Sequence, residues 1–131
     1  MLDELRRALE EDQSIAYALL FGSRARGRVG PMSDVDVAVE LRPGPPRDTA
    51  TLGRLAARLE AAAGRRVDLV LMETAPPPLA YRIFRDGRVL LDRDHAALVR
   101  RKARAILEYL DFKPIEDRCA EGVLRAAAER G

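Results

Sequence analysis

The sequence predicts an α/β (α+β) fold in one domain: a mixed sheet flanked by helices, with further helices at the C-terminal end. Three observations carry that prediction. Between residues 2 and 92, short apolar or alternating runs are interleaved with stretches of helical spacing. A long, arginine-rich stretch of helical spacing closes the chain. No internal repeat or low-complexity tract divides the 131 residues, a length that buries one real core without staples. The expected domain is therefore residues 1–131, with a core over 13–92 and a helical region over 94–130.

Each element has its own signal. Leu2, Leu5 and Leu9 recur at spacings of three and four, which predicts a first helix over 2–11. Ile15 to Phe21 (IAYALLF) is apolar throughout and bounded by Asp-Gln-Ser and Gly, the pattern of a strand buried on both faces. Arg24 to Arg28 is compatible with a short helix, stopped by Gly27, Gly30 and Pro31. Ser33 to Leu41 alternates, with Val35, Val37, Val39 and Leu41 on one face and Asp34, Asp36, Ala38 and Glu40 on the other, which predicts a half-buried strand. After the Pro- and Gly-rich loop 42–48, Asp48 or Thr49 can cap a helix carrying Leu52, Leu55, Ala56 and Leu59, with Gly64 as its stop. Val67 to Met72 predicts a third strand. The prolines at 76–78 postpone the next helix to Leu79–Arg85, and Asp86-Gly87 closes it. Val89–Leu91 is a brief strand. Helical spacing then runs from Asp94 to about Tyr109, and again from Glu116 to Glu129.

Composition narrows the function. The chain is 47% hydrophobic and 34% charged, ordinary for a soluble globular protein. No apolar run approaches the roughly 18 residues of a membrane span, and MLDELRRALEED is unlike a signal peptide; the expectation is a cytoplasmic protein without membrane contact. The single cysteine, Cys119, allows no internal disulfide and no zinc cluster, and reads as a lone thiol on a helix. With His95 the only histidine, carboxylates are the available metal ligands. A net charge of +2 and a pI near 9.0 are too slight a bias to argue for direct nucleic-acid binding.

The carboxylates carry the chemistry. On one strand face, Asp34 and Asp36 stand roughly 7 Å apart at their Cα atoms, and Asp68, an acid among aliphatics on another strand, is costly unless a cation or hydrogen bonds satisfy it. Hard oxygen ligands of this kind suit Mg²⁺. Gly22-Ser23 comes directly off a strand, where glycine lets an anion approach the main chain and serine adds a hydroxyl donor. The P-loop pattern is absent, and no lysine occurs before position 102. The combination fits in-line attack on the α-phosphorus of a nucleoside triphosphate, with Asp68 as the base for the incoming hydroxyl.

Gly22, Ser23, Asp34 and Asp36 spell G-S-x10-D-x-D, and with Asp68 downstream they resemble the polymerase-β-like nucleotidyltransferase superfamily. The strings GSRARG, SDVDVAVEL, RRVDLVLM, FRDGRVLLDRD and LEYLDFKP resemble its minimal branch, the MNT-domain proteins, mostly antitoxin halves of HEPN/MNT toxin–antitoxin pairs. The resemblance implies a nucleotidyltransferase fold, Mg²⁺, ATP as substrate, and transfer of AMP to a tyrosine of a partner HEPN RNase toxin. It implies that Gly22 and Ser23 hold the triphosphate, that Asp34, Asp36 and Asp68 hold metal, and that Asp68 also acts as base. Arg24 and Arg26 match the R-A-R of the family without an assigned role. Two alternatives stay open at this level. One is transfer to a small molecule such as an aminoglycoside, where a homo-oligomer could complete the acceptor pocket. The other is an antitoxin that acts by binding alone, through the helix bearing Arg100, Arg101 and Arg104.

Overall fold

The computed structural model describes residues 1–22, 34–44 and 46–130. The short helix expected at 24–28 lies outside them, as do Ser23, Arg24, Arg26 and Ser33. The elements run α1 (Leu2–Glu11), β1 (Ile15–Phe21), β2 (Val35–Leu41), α2 (Thr49–Ala63), β3 (Val67–Leu71), α3 (Pro77–Asp86), β4 (Arg88–Asp92) and α4 (His95–Arg130). The four strands form one sheet in the order β3-β2-β1-β4. β1 pairs antiparallel with β2 and β4, while β2 and β3 are parallel, so the sheet is mixed as expected.

Both faces of the sheet are covered. Val35, Val37, Val39 and Leu41 of β2 join Ile15, Ala18 and Leu20 of β1 in a core closed by Leu5 and Leu9 of α1 and Leu55 and Leu59 of α2. The opposite face packs Tyr17, Leu19 and Ala38 against Ala80, Ile83 and Phe84 of α3 and Ala97, Leu98 and Ala105 of α4. Each such Leu, Ile or Phe taken fully from water contributes about 1.5–3 kcal/mol, so α3 and α4 are held on the sheet mainly by apolar area. β1 has no solvated face, which is why its seven residues carry no charge.

The ends of the elements explain their lengths. Asp48 caps α2 by accepting from the Thr51 N–H at 2.8 Å, and Gly64 ends it in a left-handed conformation, φ 68°. α3 begins at Pro77, two residues before the expected start, because proline is tolerated in the first turn, where its missing N–H has no partner to lose. The helices expected at 94–109 and 116–129 are one helix, α4, with Pro114 inside it. Proline there leaves the carbonyl of Leu110 without its helical partner; both residues are exposed, where that group is open to solvent, and the helix continues. Arg101, one of the arginines named for the binding-alone alternative, turns back to the sheet instead. Its Nε donates to Glu40 Oε1 at 2.8 Å, and the same oxygen accepts the Tyr17 hydroxyl at 2.8 Å. Among the described residues, no helix is long and apolar enough to cross a membrane.

Candidate active site

Glycine, then carboxylates, gather at one end of the α3/α4 face. β1 ends at Phe21, and Gly22 turns the chain with φ 77°, a backbone state that L side chains rarely adopt. A Cβ there would also collide with Oδ2 of Asp36. The turn therefore needs glycine twice: for its left-handed backbone, and to let the Asp36 carboxylate lie against the main chain. Gly22→Ala is expected to cost at least about 1–2 kcal/mol from the backbone alone, measured by denaturant unfolding, and to displace Asp36.

Asp36 of β2 stands in register with Asp68 of β3 across the parallel ladder. Both follow a valine whose side chain enters the opposite core, so alternation turns both carboxyls to the α3/α4 face. Burial pushes the Asp36 carboxyl above its ordinary value; the charges of Asp68 and Asp34 and a hydrogen bond with Asp68 push it further. A hydrogen bond between two carboxyls requires a shared proton or, in its place, a cation. Asp34 is exposed and lies one residue before β2, whose ladder starts at Val35 with Val35 N–H on the Arg66 carbonyl at 2.9 Å. It reaches Asp36 through its charge.

Among the described residues no Lys or Arg pairs with Asp34, Asp36 or Asp68. Hard oxygen donors in this group fit a divalent cation such as Mg²⁺. As the side chains stand, no group of three His, Cys, Asp or Glu among the described residues closes around a metal position. Asp36 and Asp68 form the in-register pair, and Asp34 sits at its edge.

One residue beside this group was not legible in the sequence. Leu79, Arg82, Ile83 and Asp86 of α3 line a notch of about 150 Å³ together with Phe21 and Gly22. Arg82 is exposed there and has no hydrogen-bond or ion-pair partner among the described residues. Its signal was the spacing of three, four and seven along α3, which puts 79, 82, 83 and 86 on one face. The larger groove, about 500 Å³ along α4, is lined by Glu40 and Arg101 among others, and so lies toward the other end of β2 from Asp36.

A small mixed sheet with in-register carboxylates beside a glycine turn defines a domain of the nucleotidyl-transferring class. The chain belongs to the polymerase beta nucleotidyltransferase family, whose model matches residues 3–96. Its fold is similar to a chain of a toxin–antitoxin crystal structure with AMP-PNP, at 22% identity over 94% of this chain and 98% of that one, TM-score 0.79. It is also similar to a chain of the complex of tri-AMPylated Shewanella oneidensis HEPN toxin with MNT antitoxin, at 19% identity, 95% and 99% coverage and TM-score 0.73. A minimal nucleotidyltransferase structure is 30% identical over 65% of this chain and 85% of that chain, TM-score 0.55. Comparison with curated proteins returns no match.

Proposed function

We propose that the chain is an antitoxin that transfers AMP from ATP to a hydroxyl of a HEPN-type toxin, a tyrosine by the resemblance above. The observation that carries this reading is the Asp36–Asp68 pair set against the Gly22 turn, in a family of nucleotidyltransferases. The similar complexes, one with AMP-PNP and one with an AMPylated HEPN toxin, support both the nucleotide and the acceptor.

Asp36 and Asp68, with Asp34 beside them, would hold Mg²⁺. When bound, that ion supplies positive charge for the α-phosphate and the departing pyrophosphate. Gly22, in the wall of the α3 notch, would set the main chain beside the phosphates, with Ser23 as the expected hydroxyl donor. Asp68 is exposed at the end of the pair, where its carboxylate can accept the proton of the attacking hydroxyl. The acceptor oxygen then bonds to the α-phosphorus as the bond to pyrophosphate breaks. Arg82 faces the same notch as Gly22 and would neutralise phosphate charge there. Arg82→Ala is expected to raise the KM for ATP about tenfold, one charge-assisted hydrogen bond's worth, with little change in kcat and partial rescue by Arg82→Lys.

The test is direct. The protein is incubated with α-labelled ATP, Mg²⁺ and a purified HEPN toxin, and label is sought on the toxin. Label with the wild type and none with Asp36→Asn or Asp68→Asn is the expected result. Toxin silenced equally by those variants, without label, would return the function to binding alone.

A further inference from the structure

We infer that the outward face of α4 is the docking surface for the acceptor protein, and that it receives an amphipathic helix whose apolar stripe is flanked by Asp and Glu. α4 is apolar on two opposite sides. Ala97, Leu98 and Ala105 enter the core against the sheet and α3. On the far side, Val99, Ala103, Ile106 and Leu110 follow one another at spacings of four, three and four, which aligns them along a single seam. Val99 is 48% exposed, Ile106 37% and Leu110 57%, with Leu107 at 63% beside them. Four of the six large exposed hydrophobics among the described residues therefore lie on this one helix face, and no described residue covers it. The groove of about 500 Å³ runs along the same helix, with Ala103, Leu107, Arg100 and Arg104 in its wall, and gives the side chains of an approaching helix somewhere to enter.

Charge decides which helix fits. From His95 to Leu107, α4 carries four Arg or Lys residues and no acid. Arg101 is spent on Glu40, and Arg104 is matched by Glu108 at 2.8 Å. Arg100 and Lys102, exposed on the two flanks of the seam, have no partner among the described residues. A second copy of this chain laid parallel on the seam would bring these like charges together. A helix with acidic flanks satisfies both the stripe and the cations. The inference rests on the preceding reading only in taking the acceptor for a protein.

The probe is a purified HEPN toxin, titrated against the full-length chain by calorimetry, with sedimentation of the chain alone in parallel. Ile106→Glu with Leu110→Glu is expected to weaken toxin binding about 30-fold or more, as for central apolar anchors. The melting temperature and its rise with ATP and Mg²⁺ should be unchanged, because both residues are exposed. Arg100→Glu with Lys102→Glu is expected to weaken binding about tenfold and to flatten its salt dependence. Loss of binding in both variants upholds the inference even if no AMP is transferred, an outcome that would instead sink the proposed activity. Unchanged affinity in either variant, no complex with the wild type, or a wild-type dimer that the Glu variants dissociate would each overturn it.

Discussion

Asp36→Asn is expected to abolish nucleotide transfer, by a factor of order 10³ or more, while raising the melting temperature of the metal-free protein. The two effects have one cause. Asp36 is raised by burial first, then by the charges of Asp68 and Asp34 and the hydrogen bond with Asp68. A carboxyl whose folded value lies above its unfolded value is held more tightly as the acid in the fold. Stability is therefore highest below the unfolded value and falls as pH rises through the folded one. Asparagine removes that charge and can still donate to Asp68. Thermal melts in EDTA should show the variant above the wild type, and added Mg²⁺ should raise the wild type more than the variant. A variant that melts lower in EDTA, or keeps its transferase activity, would show that Asp36 is neither strained nor needed.

Much of this arrangement was legible in the sequence, and the limit has a physical form. β1 is read to its last residue because an unbroken apolar run between polar boundaries has one interpretation, and α2 because Asp48 and Gly64 act locally at its ends. Alternation also put Asp36 and Glu40 on one face of β2. What a local pattern does not hold is register between strands. Asp36 faces Asp68 because the ladder aligns Val35 with Val67, a consequence of how α2 packs back on the sheet rather than of anything near either residue. α4 failed for the opposite reason. Pro114 is a strong local stop signal, but on an exposed turn it costs one hydrogen bond whose carbonyl is open to solvent, and the rest of the helix outweighs it. Arg101 reads as part of an exposed binding helix because its partner, Glu40, comes from β2, and Arg82 is brought beside Gly22 only by the packing of α3.

Glu40 shows how much such a distant partner matters, and its removal is the second large effect. One oxygen, Oε1, accepts both the Tyr17 hydroxyl and Arg101 Nε, with the Glu40 side chain 15% exposed and that of Arg101 23%. Glu40→Ala leaves a half-buried guanidinium and a buried hydroxyl without their acceptor. That is expected to cost about 2–3 kcal/mol and to lower Tm by roughly 10 °C. The loss falls where α4 meets β1 and β2, so the outer seam of α4 would loosen with it, and toxin binding should weaken in Glu40→Ala although Glu40 lies outside that seam. Tyr17 supplies a pH signature. Burial, then the hydrogen bond and charge of Glu40, raise its hydroxyl well above the ordinary tyrosine value. The unfolded chain releases this proton near pH 10 while the folded one keeps it, so stability is full below that pH and declines above it. Tyr17→Phe should lose this alkaline decline while melting lower at pH 7, having given up the bond to Glu40. An alkaline limb unchanged in Tyr17→Phe would mean that the Tyr17–Glu40–Arg101 group does not anchor α4 to the sheet.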